Sequence, residues 1–220
     1  MEFFLRKVYP WLIDISSLSP ALPFIFGIFL LSGSRNRQLT LLLLFLFFAV
    51  AVEAVALVTV RLGTTNNLWL WHVYTPLEFC AVAAIFYSGF RMRLLKNFIL
   101  IVAIAFVLFC IFDSVFLSGI TQMNSIAQMV ENVLLILLAV LYFYKVSNDL
   151  RITYLEHDSM FLFSCGLLIY KAGSSMALVM FNRALAESYD AARMCLAIIF
   201  ILKILFFIGL VPVLKRASVK

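Results

Sequence analysis

Glu53, His72, Glu78, Asp113, Glu131, Lys171 and Lys203 stand inside runs that are otherwise apolar. Side chains of these types can hold a cation, pass a proton, or clamp helices together as ion pairs. An ionised group facing lipid costs about 2.5–3.5 kcal/mol even on the milder scales. Each is therefore expected to face a neighbour rather than lipid. Spacing sorts them further. Trp71, Thr75 and Glu78 recur at intervals of four and three, which places them on one face of a helix, with His72 beside it. Asn124, Gln128 and Glu131 repeat the pattern, and Asn132 adjoins them. Lys171, Ser174 and Ser175 do so once more.

The elements that must position these groups follow from composition. The chain is 65% hydrophobic and 13% charged, against about 45–50% and about 25% in soluble domains. One aqueous core of 220 residues cannot hide that much apolar surface, whereas a bilayer can accept it on helix exteriors. Seven apolar runs cover 11–33, 39–60, 68–90, 98–117, 126–144, 160–181 and 194–214. Each approaches the roughly 20 residues that span the hydrocarbon. The expected fold is all-α: a polytopic seven-transmembrane helix bundle in one domain, 1–220, with short connections and no signal peptide. Asp14 and three serines crowd the start of the first run, which leaves two starts open for its helix: near Trp11, or only at the Ser19-Pro20 pair.

Basic residues set the orientation. With the N-terminus outside, the cytoplasmic pieces carry Arg35, Arg37, Arg91, Arg93, Lys96, Lys145, Arg151, Lys215, Arg216 and Lys220. The outer pieces carry Arg6, Lys7, Arg61, Arg183 and Arg193. Ten against five favours N-outside, C-cytoplasmic in the inner (cytoplasmic) membrane, multi-pass. Trp69 and Trp71 suit the outer aromatic belt, and Tyr142 and Tyr144 the inner one. The four cysteines read as small packing residues. The net charge of +6 reflects orientation and lipid attraction, with no nucleic acid as partner.

On this map the buried charges gather in the outer half. Glu131 lies about 8 Å into its segment, Glu53 about 10 Å and Glu78 about 15 Å. The inner half of each segment is free of charge. Two lysines among four acids leave carboxylates to be protonated, solvated or bound to something. Asp113 is expected to be solvated near the surface, and Glu131 to have neutral neighbours rather than a base. Buried Glu–Lys pairs can also serve only to join helices, at about 0.6–2 kcal/mol per polar contact. The acid surplus instead favours a pocket receptive to a small polar ligand or a cation.

The run Asn66-Asn67-Leu68-Trp69-Leu70-Trp71-His72-Val73-Tyr74-Thr75-Pro76-Leu77-Glu78-Phe79 resembles the third-helix signature of a family of small bacterial seven-helix membrane proteins. That signature is an Asn-rich loop followed by His-x-Tyr-Thr-Pro-x-Glu-Phe. The runs from Glu131-Asn132 to Tyr144-Lys145 and Leu168-Ile169-Tyr170 are similar to the same family. The resemblance implies the seven-helix architecture and points at His72, Tyr74, Thr75 and Glu78. It brings no activity with it.

The expected ligand-binding set is thus Glu53, His72, Tyr74, Thr75, Glu78, Gln128, Glu131, Asn132, Lys171 and Lys203, without cofactor or catalytic set. Lys203 falls where opsins attach retinal, yet Ile199 stands where microbial opsins carry an acid. Two histidines, one in a loop, are too few for a membrane zinc hydrolase. Gly173-Ser174-Ser175 is a weak match to a rhomboid nucleophile. The leading expectation is a receptor-like or sensory protein that signals to a cytoplasmic partner. A small proton- or ion-coupled transporter is the alternative, and a lipid-modifying enzyme the third reading. Orientation is testable in a cysteine-free background: a cysteine at Leu94 should resist an impermeant thiol reagent in whole cells, and one at Ile120 should react. The reverse labelling would invert the topology.

Overall fold

The computed structural model describes residues 4–31, 36–64, 66–117, 119–120, 122, 124–148 and 155–219, apart from the side chains at 182 and 219. Arg35, Arg151 and Lys220, counted above toward the cytoplasmic side, lie outside the described residues, as does the end of the first run. Regular structure among the described residues is entirely helical. A π-helical turn, Phe4–Val8, leads into α1 (Tyr9–Leu18) and α2 (Ala21–Leu31). There follow α3 (Arg37–Arg61), α4 (Trp69–Gly89) and α5 (Arg93–Phe112), the last extended by a π-helical turn at Asp113–Leu117. The chain ends with α6 (Ser125–Asn148), α7 (Ser159–Glu187) and α8 (Tyr189–Val219). With α1 and α2 taken as one span, seven helices among the described residues are long and apolar enough to cross a membrane. They outrun the apolar stretches because polar ends such as Arg37, Lys145 and Glu187 continue the same backbone ladder.

The first helix does not begin at Ser19-Pro20. It starts upstream, and that pair interrupts it. Pro20 has no N–H to give the Ser16 carbonyl four residues back. Ser19 fills the gap, its N–H and its hydroxyl both donating to Ser16 O, at 3.3 and 2.7 Å. Helix resumes at Ala21, with Phe24 N–H donating to Pro20 O. Asn36 caps α3 by accepting from Gln38 N–H, while its amide donates to Ala217 O on α8 at 2.8 Å. The start of α3 is thereby stitched to the end of α8.

The interior beside that stitch is apolar and close-packed. Phe45, Phe79, Phe86, Phe163 and Leu167 are fully buried. Phe45 stacks on Phe207, and Phe86 lies against both Tyr142 and Phe163. The outer faces carry exposed Leu108, Phe116 and Ile169. Large apolar side chains outside a packed core are what a surrounding hydrocarbon phase accepts and water does not.

Tyr142 departs from the aromatic-belt expectation: it is buried, and its hydroxyl donates to Asp158 at 2.6 Å. Asp158 also caps α7 by accepting from Met160 N–H. Lys145 donates to Gly89 O at 2.7 Å and sits 5.0 Å over the Tyr142 ring. The end of the bundle expected to lack buried charge therefore holds a polar latch tying α4, α6 and α7. Tyr144 remains exposed, as a belt residue should. Trp69 and Trp71 are each about 40% exposed.

Core and exterior predict opposite responses to truncation. Phe86→Ala should destabilise by about 3–5 kcal/mol, because the cavity it leaves cannot collapse. Leu108→Ala, on the outer face, should leave the melting temperature nearly unchanged. Equal losses in a thermal-unfolding assay would contradict this packing.

Candidate functional site

The helical spacings bring the polar faces together. Thr75 and Glu78 on α4, Gln128, Glu131 and Asn132 on α6, and Lys171 and Ser174 on α7 line one cavity of about 90 Å³. Lys171 is the centre of it. Its ammonium lies 3.0 Å from Glu78 Oε1 and 3.5 Å from Glu131 Oε2. All three side chains are at most 6% exposed, so water screens the contact little. One ammonium thus faces two carboxylates. Glu131 Oε1 has no hydrogen-bond partner among the described residues, although it is buried.

Neutral side chains tie the helices together beside the charges. The Asn124 amide donates to Thr75 Oγ1 at 3.0 Å and to Trp71 O at 3.2 Å, tying α4 to the start of α6. Gln128 in turn donates to Asn124 Oδ1 at 3.0 Å. Ser174 and Ser175 donate back to Lys171 O, the ordinary habit of helix serines, so neither hydroxyl is a poised nucleophile.

A second ion pair sits alongside. Lys203 on α8 donates to Glu53 on α3. These two line a cavity of about 170 Å³ with Ser16, Ser17, Asn67 and Tyr74. Trp71, Tyr74, Tyr170, Ile199 and Phe200 line both cavities. The two chambers therefore share an aromatic wall. Trp71 and Tyr74 meet edge to face, with centroids 6.1 Å apart.

One helical turn deeper, the polar lining stops. Ala49 lies beneath Glu53, Val82 beneath Glu78, Leu135 beneath Glu131, Leu167 beneath Lys171, and Phe207 beneath Lys203. All five are buried. The site has an apolar floor.

Nine of the ten expected residues line these two cavities. His72 lines neither. It is buried on another side of α4, where Nε2 donates to Gln122 O at 2.9 Å and Nδ1 shares a 2.8 Å hydrogen bond with Ser114 Oγ. Ser114 also donates to Cys110 O. These contacts pin Ser114 and Gln122 to α4. Asp113 is fully buried rather than solvated, and it too lines neither cavity. The site therefore holds three acids and two lysines, a surplus of one rather than two. Glu131, expected to have only neutral neighbours, has Lys171 within reach. Its helix face alone concealed this, because the base comes from α7.

Phe200 went unnoticed in the sequence, although it stands one turn before Lys203 and so shares its face. Among the described residues no group of three or more His, Cys, Asp or Glu side chains is placed to hold a metal ion. Comparison with protein-family models, curated proteins and solved structures returns no match.

The charge pattern ranks three substitutions. Lys171→Met leaves two buried carboxylates facing each other and should destabilise by about 3–5 kcal/mol. Glu131→Gln leaves a balanced Glu78–Lys171 pair and should change stability far less. Glu53→Gln strands Lys203, and adding Lys203→Met should recover most of the loss. A chemical-denaturation series in which Glu131→Gln is the worst of the three would refute the shared-lysine arrangement.

Proposed function

We propose that this chain is a receptor-like integral membrane protein that binds a small cation at Glu131 and Glu78. One observation carries the reading: a buried carboxyl oxygen of Glu131 has no hydrogen-bond partner among the described residues, beside a cavity in which acids outnumber bases. A bound positive charge supplies the missing partner and balances the surplus.

Size narrows the ligand. Sites for drug-sized ligands enclose about 300–1,000 Å³. Cavities of about 90 and 170 Å³ suit an inorganic ion or a small amine. The perpendicular rings of Trp71 and Tyr74 favour an organic ammonium, since aromatic faces attract such cations. In this reading the seven helices cross the cytoplasmic membrane of a bacterial cell with the N-terminus outside. The cavities then face outward, and the resemblance of the helix-three run to small bacterial seven-helix proteins agrees with that setting.

The apolar floor supports a receptor over a carrier. A transported ion would need polar groups on a path toward the opposite face, yet Val82, Leu135, Leu167 and Phe207 lie directly below the charges. A receptor needs only a change in how α4, α6 and α7 meet. These helices are also joined at the opposite end by Tyr142, Lys145 and Asp158. Binding between their upper halves can bias that latch, where a cytoplasmic partner would read it.

Thermal shift of the purified protein tests the reading. Ammonium, methylammonium, tetramethylammonium and sodium should be compared at constant ionic strength. At least one should raise the melting temperature of the unaltered protein and have no such effect on Glu131→Gln. Responses that are identical in the two proteins for every cation would overturn it.

A further inference from the structure

A groove of about 510 Å³ runs along the outside of the bundle, away from the charged cavities. It lies between α3, α4 and α5 and is almost wholly apolar. Its floor is concave because small residues, Cys80, Ala83 and Ala84 on α4 and Ala103 on α5, stand where larger side chains would fill it. Its rim at Leu100, Ile104 and Leu108 is 55–62% exposed, so the groove faces the surrounding phase.

Two features go beyond a bare apolar slot. From Ile99 to Leu108 the groove extends about 13 Å along α5. One leaflet of a hydrocarbon core about 30 Å thick is about 15 Å deep. The groove thus matches the depth of a single acyl chain. At one end only, it meets cations. Arg37 forms part of its wall, and Lys96 sits 5.0 Å over the ring of Tyr87, another wall residue. Arg37 is exposed and opens α3, and Lys96 lies one turn into α5, so both stand at the helix ends where lipid headgroups gather.

We propose that this groove is a binding site for an anionic phospholipid. One acyl chain lies against Ala83, Ala84 and Ala103, and the phosphate-bearing headgroup pairs with Arg37 and Lys96. The Lys96–Tyr87 contact holds the ammonium over the mouth of the groove, where an anion can join it. A zwitterionic lipid fills the slot equally well but gains less from the two cations. This is the chemistry by which basic residues near a membrane surface select anionic lipid.

Native mass spectrometry of the detergent-purified protein, titrated with phosphatidylglycerol or phosphatidylcholine of the same chain length, tests the site. Phosphatidylglycerol should be retained more strongly. Arg37→Gln and Lys96→Gln should each weaken its retention about fivefold while leaving phosphatidylcholine unchanged. Arg183→Gln, at the end of α7, should have no effect. Ala103→Trp fills the slot and should reduce retention of both lipids. Circular dichroism of each variant identifies any that fails to fold, and Arg37→Lys then replaces Arg37→Gln as the folded control that keeps the preference. Equal retention of the two lipids by the unaltered protein would overturn the proposal. So would a phosphatidylglycerol preference that survives loss of both Arg37 and Lys96. A dimer dissolved by Ala103→Trp without change in lipid retention would assign the groove to a second copy of this chain and overturn it as well.

Discussion

Lys171 lies between Glu78 and Glu131, where almost no water reaches any of the three. Much of the polar architecture follows from that contact. A buried ammonium needs a carboxylate close by, so α7 must present position 171 to α4 at position 78. A second carboxylate on the same ammonium fixes α6 as well. Three helices are thereby registered against one another by one side chain. The neutral amides of Asn124 and Gln128 extend the register to the start of α6. The Glu53–Lys203 pair repeats the device between α3 and α8, with the aromatic side chains Tyr74 and Tyr170 between the two chambers.

The arrangement is not what stability alone selects. A balanced pair of charges, or well-packed apolar residues of similar size, holds helices together at least as well. An unbalanced cluster beside a cavity gives up stability at one place, and such places in a protein mark function. The rest of the bundle compensates. Below the cluster, Phe45, Phe86, Phe163, Leu135 and Leu167 pack without exposure, and the Tyr142–Asp158 hydrogen bond closes the far end. The proposed receptor reading draws on both parts, the charged cavity at one end and the apolar packing with its polar latch at the other, which α4, α6 and α7 share.

Much of this was legible in the amino-acid order. Seven runs of sufficient length gave the seven helices, because a bilayer-length apolar stretch has few alternatives. The three-and-four spacing of Thr75 with Glu78, and of Gln128 with Glu131, placed those groups on one face each. Lys171 and Lys203 stood out as bases among the buried acids, and each pairs with one, Lys171 with Glu78 and Lys203 with Glu53. What escaped was whatever depends on rotation of one helix about its axis relative to another. His72 and Thr75 are three residues apart on α4, yet His72 turns toward Ser114 and Gln122 while Thr75 joins the cavity. Asp113 looked like a solvated acid because it lies about one turn from the outer end of its run, but it is fully buried at the start of the π-helical turn that ends the helix. The start of the first helix stayed open between about Trp11 and Pro20, because nothing in the local pattern reveals that Ser19 can satisfy the carbonyl that Pro20 abandons.

On the proposed reading, a cation binds the Glu131 carboxyl at the oxygen that has no hydrogen-bond partner among the described residues. Infrared difference spectroscopy between cation-free and cation-containing buffer observes that group directly, without relying on stability. The account predicts a perturbed carboxylate band on cation binding that disappears in Glu131→Gln and persists in Glu53→Gln. A difference spectrum with no carboxylate band, or one unchanged by Glu131→Gln, would contradict it.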